Sequence, residues 1–255
     1  MLHSVTDKQK SVAKASRMKQ CAKPPRGAWR SLLCYHVEQF VELWAREYVK
    51  PAFCGDIEAA LSLSVAVSNQ KRGEVVLAFW HAKVPKHSFA ALLSAVWDHD
   101  HHELVAAAKT RRTLRAMFRY AEFDTSCLPD TVQVWRGTSG CNLTDAAKGY
   151  SWTTNKNVAC WFAMRYSNIR RRPLVLTSTV SRADVYLYTD ERSEREVVLF
   201  DPQNARVDGD IPDWTGRAEI WPENIRKLNA SCIAELRAES QHSFGASTSN
   251  FATMP

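Results

Sequence analysis

Thr131-Val132-Gln133-Val134-Trp135-Arg136-Gly137 is the stretch on which the reading of this chain turns. From Thr131 to Trp135 polar and apolar side chains alternate, as in a strand with one buried face, and the run follows the breaker Leu128-Pro129-Asp130. Before it, apolar residues recur every three or four positions; after it, they come in short extended runs. The chain is read as α+β, with a helical region over 31–128 and a mostly antiparallel β region over 129–238.

Upstream, a helix is predicted from Ser31, carrying Leu33, Val37, Phe40, Val41, Trp44 and Tyr48 on one face until Pro51 stops it. Ile57 to Val67 reads as a second helix, while Glu74 to Val84 fits strand or helix. Pro85 and Ser88 open another helix, with Phe89, Leu92, Leu93, Val96 and Trp97 as its buried stripe. Asp100-x-x-Glu103 has the form of a capping box and predicts a helix over 101–121. Lys109, Arg111, Arg112, Arg115 and Arg119 then complement the negative pole of that helix. The run Asp98-His99-Asp100-His101-His102-Glu103 is rich in metal-binding types. Its i, i+4 pairs would face one way only in an unbroken helix, so with Asp100 as a cap it is a polar junction and no metal is expected.

Downstream, Gly149 to Thr154 is a short extended piece, and Asn155 caps a helix carrying Val158, Trp161, Phe162 and Met164. Leu174 to Val180, Val185 to Tyr188, Glu196 to Phe200 and Ala218 to Trp221 read as strands. Their connections are too short for helical crossovers, hence antiparallel pairing. Residues 239–255, rich in Ser, Thr, Ala and Asn, read as a disordered tail.

Composition narrows the function classes. The chain has 255 residues, 45% hydrophobic and 24% charged, ample for a sizeable core. Its formal charge of +7 equals the balance of residues 1–30 alone, where eight basic side chains face the single acid Asp7. That is a basic flexible arm on a neutral body, and nucleic acid or an acidic partner is a candidate for the arm only. Seven scattered cysteines without a CxxC pair predict reduced thiols in a cytoplasmic compartment. No secretory h-region and no long apolar span are present, so no membrane is expected, although the acid-poor first 30 residues share composition with organelle transit peptides. The nucleotide-binding glycine motifs, HExxH and GxSxG are absent, and Cys160 lies in an apolar helical pattern, as core rather than nucleophile.

Three short motifs remain: Val134-Trp135-Arg136-Gly137, then Gly149-Tyr150-Ser151-Trp152-Thr153-Thr154, then Glu194-Arg195-Glu196-Val197-Val198-Leu199. An arginine holds a pyrophosphate or ribose through fork-shaped, charge-assisted hydrogen bonds. A carboxylate stabilises positive charge growing on a sugar as its leaving group departs, and a second one two residues earlier, on the same face of a strand, orients or deprotonates a nucleophile. Glycosyl transfer from a nucleotide sugar fits that set.

In these three motifs the chain resembles the mono-ADP-ribosyltransferases of the arginine-serine-glutamate class, which includes phage and bacterial effectors. The resemblance implies NAD as substrate and transfer of ADP-ribose to a macromolecular acceptor, a protein arginine in many relatives. It implies Arg136 for NAD phosphate and ribose, Gly137 for the nicotinamide amide, and Ser151 as partner of the catalytic carboxylate within Ser151-Trp152-Thr153. Glu196 is then the catalytic acid and Glu194 the acceptor-facing one. Trp152 stands where the family has threonine, so Thr153-Thr154 is the alternative source of the hydroxyls. An effector-like role with delivery into a host cell follows from the same resemblance. The rivals are a catalytically silent module of the same fold, a plain NAD hydrolase, and a helical adaptor with a metal junction at His99 to Glu103.

Overall fold

The computed structural model describes residues 26–165 and 172–221. The arm up to residue 25, residues 222–238 and the tail predicted from 239 lie outside the described residues. The chain is α+β and divides between Glu122 and Phe123 into two compact units.

The described part of the first unit is helical apart from one isolated bridge between Val41 and Val67. It comprises α1 (Arg26–Glu38), a 3-10 turn (Leu43–Tyr48), α2 (Val49–Cys54), α3 (Ile57–Ala66), α4 (Asn69–Ala82), α5 (Lys86–Ala108) and α6 (Arg111–Ala121). The first predicted helix is thus broken in three. Val37 and Val41 are buried, but Trp44 is 57% exposed and leaves the stripe. Pro51 does not stop a helix; it sits in the first turn of α2, where its missing N–H has no helical partner. Residues 74–84, open between strand and helix, fall mostly in α4.

Asp100 is not a helix start. Alpha5 runs through it with a kink, φ −135° and ψ 38°, and its carboxylate pairs with the Arg72 guanidinium. The helix predicted over 101–121 breaks instead at Lys109, φ 60°, and at Thr110, whose side chain accepts the Thr113 N–H at 3.1 Å. Arg111 and Arg112 therefore begin α6 rather than end a helix, and Arg119 is the basic residue of its last turn. His99, His101 and His102 are exposed, and among the described residues no three His, Cys, Asp or Glu side chains form a metal-holding group.

The second unit is a six-stranded antiparallel sheet: β1 (Thr131–Ser139), β2 (Ser151–Thr153), β3 (Pro173–Ser181), β4 (Val185–Thr189), β5 (Glu196–Leu199) and β6 (Arg206–Val207), in the order β4-β5-β2-β1-β3-β6. Between strands lie α7 (Leu143–Ala147) and α8 (Lys156–Met164), and α9 covers 211–221. The strand predicted at Ala218–Trp221 is helical instead. Asp210 caps it by accepting the Asp213 N–H at 3.1 Å, Asp213 and Arg217 pair at i, i+4, and Trp214, Ala218 and Trp221 follow helical spacing.

Two apolar clusters hold the sheet. Val132, Val134, Trp152, Leu176, Val197 and Leu199 pack together. Ala159, Cys160 and Ala163 of α8 pack with Val175, Trp214 and Trp135. Full burial of each valine or leucine contributes about 1.5–3 kcal/mol. Alpha8 lies so close on β1 that a Cβ at Gly137 would fall 1.7 Å from the Ala159 carbonyl oxygen. Among the described residues no helix is long and apolar enough to cross a membrane. Cys34, Cys54, Cys127, Cys141 and Cys160 carry free thiols.

Candidate functional site

Strand pairing brings the three motifs onto adjacent strands. Trp135 of β1 opposes Thr153 of β2, and Thr153 opposes Glu196 of β5, so these three share one face. Alternation sends Arg136 to the other face with Trp152 and Val197, and its guanidinium reaches along the neighbouring strand to donate to the Ser151 carbonyl. Gly149 makes this reach feasible: a Cβ there would lie 2.0 Å from the guanidinium carbon.

Around Arg136 the charge is poorly answered. Its Nε is buried without a hydrogen-bond partner, and among the described residues no carboxylate forms an ion pair with it. Burial holds its pKa below the usual arginine range, while Cys141 and the Glu196 charge push the other way. A buried cation with a free donor favours an anion beside it.

The two glutamates are brought together by a turn, not by strand alternation. Ser193 (φ 56°) and Arg195 (φ 48°) both adopt the left-handed region, at a cost of about 1–2 kcal/mol each. Asp190 closes the turn, accepting the Ser193 N–H at 2.9 Å on its carbonyl and the Arg195 N–H at 3.1 Å on Oδ1. The Thr153 hydroxyl donates to the Glu194 carbonyl at 2.6 Å, and the Trp221 indole N–H to the Ser193 carbonyl at 3.2 Å. Arg192 Nη2 lies 2.9 Å from Glu194 Oε2 and 3.6 Å from Glu196 Oε2. Burial raises the Glu194 pKa, Arg192 opposes the rise, and the like charge of Glu196 adds to it.

Several expected roles change in this light. Ser151 opposes Val198, so Thr153 is the hydroxyl residue across from Glu196, because a two-residue step along β2 separates the two positions. Trp152 is 2% exposed, packed in the core with its indole donating to the Gly149 carbonyl at 3.0 Å, and presents nothing to a ligand. The bare side of Gly137 is filled by α8, a packing reason distinct from the approach of a flat amide. Burial pushes the Cys160 thiol up to about 11, which suits core rather than nucleophile.

Sequence reasoning did not assign Gly149, Arg192 and Trp221 to the site. Gly149 preceding a strand and Arg192 beside the acids were visible signals. Trp221 had none: it lies 28 residues from Ser193. It packs on Trp161 at 4.8 Å and Phe162 at 6.3 Å, with Arg165 stacked 4.5 Å from the Phe162 ring centre. The chain matches no family model, no curated protein and no solved structure.

Proposed function

We propose that the second unit is an ADP-ribosyltransferase-like domain and that this protein is an NAD-dependent mono-ADP-ribosyltransferase, releasing nicotinamide and transferring ADP-ribose to a macromolecular acceptor. The observation that carries this reading is the buried Arg136 guanidinium with an unpartnered Nε, feeling the charge of Glu196 two strands away. That donor, held against Gly149, suits a pyrophosphate or ribose oxygen.

Each side chain then has a task. Arg136 binds the anionic part of the dinucleotide. Glu196, 7% exposed, stabilises positive charge as it grows on the ribose, and its low exposure strengthens that effect. Glu194 receives the proton of the incoming acceptor, and a pKa raised by burial suits it as a base. Thr153 and Asp190 hold the acid turn in place, so little reorganisation accompanies reaction. A protein acceptor is what the resemblance implies. The cytoplasmic setting, read from the scattered cysteines, and an effector role, resting on the resemblance, are parts of the same proposal.

The test is nicotinamide release and label transfer from NAD into a cell lysate. Glu196→Gln keeps the shape and removes the charge; it lowers both by about 100-fold or more, with the far-ultraviolet circular dichroism unchanged. Equal activity in the variant rejects the assignment of Glu196. Nicotinamide release by the wild type without any label transfer makes the protein an NAD hydrolase.

A further inference from the structure

We propose, resting on the reading above, that Arg192 is itself an acceptor: the acid turn holds its own guanidinium in the acceptor's seat, and the chain modifies itself there.

Three observations lead to this. The guanidinium lies against both carboxylates, 2.9 Å from Glu194 and 3.6 Å from Glu196, where a nucleophile must sit to be deprotonated by one acid and to meet the sugar steadied by the other. Arg192 keeps 46% of its side chain exposed whereas Glu194 and Glu196 keep 15% and 9%, so the guanidinium covers the acids and still has an open side. The turn presenting it is pinned from two distant elements, by Thr153 through the Glu194 carbonyl and by Trp221 through the Ser193 carbonyl, which fixes the seat rather than leaving a solvated loop. An ordinary surface ion pair would need neither.

The step balances without an oxidant or reductant. The bond between ribose C1′ and the nicotinamide nitrogen breaks, its electron pair leaving with neutral nicotinamide. A bond forms between C1′ and a terminal guanidino nitrogen of Arg192, and the proton that nitrogen loses passes to the Glu194 carboxylate. Because nucleophile and acids share five residues of chain, Arg192 to Glu196, the reaction is intramolecular and gains from effective concentration. The same seating makes Arg192 a competitor of any outside guanidine.

The experiment incubates the full chain with NAD and maps the adduct by peptide mass spectrometry, with agmatine as the outside guanidine. One ADP-ribose is expected on the peptide containing Arg192, removed by neutral hydroxylamine and formed at a rate per molecule that does not change on dilution. Arg192→Lys loses that adduct and labels agmatine several-fold faster, the seat being vacated. Nicotinamide release and agmatine labelling with Arg192 unmodified overturn this inference alone. A labelling rate per molecule that rises with protein concentration overturns the intramolecular seat. No nicotinamide release under any condition overturns the transferase reading and this inference with it.

Discussion

Two arginines, one in each unit, are answered differently. In the helical unit, Asp100 at the α5 kink meets the Arg72 guanidinium, and the Arg72 Nε also donates to the Val67 carbonyl at 3.2 Å. In the sheet unit, Arg136 meets one backbone carbonyl and leaves Nε without a partner. The first arrangement is complete in itself and stabilises a bend. The second leaves a buried donor unanswered, which is costly, and the proposed site rests on that difference.

The comparison breaks most sharply under matched substitutions. Arg72→Met leaves Asp100 buried without its cation and destabilises the helical unit by about 3 kcal/mol. Arg136→Met orphans no acid, holds stability within about 1 kcal/mol, and lowers NAD cleavage by about 100-fold. Urea unfolding and nicotinamide release measure both; a large stability loss at position 136 would make that arginine architectural as well.

Gly149→Ala sharpens the point, since the new methyl group displaces the guanidinium without touching the charge. The KM for NAD rises by about tenfold and kcat changes less, the split expected when binding geometry is lost. Steady-state kinetics with unchanged KM would remove Gly149 from the site.

Trp221→Phe keeps a ring against Trp161 and removes the hydrogen bond to Ser193. Transfer falls by about threefold, the worth of one neutral hydrogen bond, with NAD hydrolysis less affected. Equal losses in the two assays would mean the indole supports the whole unit.

The mildest effect is a displaced pH profile. Burial raises the Glu194 pKa, so transfer, which needs the ionised form, declines as pH falls at a higher pH than an ordinary glutamate would give. The folded chain holds this proton more tightly than the unfolded chain; the stability Glu194 contributes is present at low pH and is lost as pH rises through the raised pKa. Glu194→Gln removes that inflection from the transfer profile; its persistence would assign it to another group.

Much of the β1 motif was legible because a strand's alternation is local: Thr131 to Trp135 announced its faces, and Asn155 announced the start of α8. Errors cluster where distant groups override local signals. Asp100 looked like a cap, but Arg72, 28 positions away, claims its carboxylate. Trp221 looked extended because four residues cannot separate a short strand from one helical turn, whereas the Asp210 cap and the Asp213–Arg217 pair decide it. The two glutamates were placed on one face by strand alternation, yet a turn through left-handed Ser193 and Arg195 brings them to Arg192.

By itself the amino-acid order determined the residue types of the site, the change from helical to extended texture, and the concentration of net charge in the first 30 residues, all properties of neighbours along the chain. Only tertiary structure decided that Thr153 rather than Ser151 stands across from Glu196, that Trp152 is core, and that Gly137 serves α8 while Gly149 makes room for Arg136. The reason is register. A shift of one or two positions between strands changes which side chains face each other, and that choice rests on the packing of two faces against groups far away in sequence.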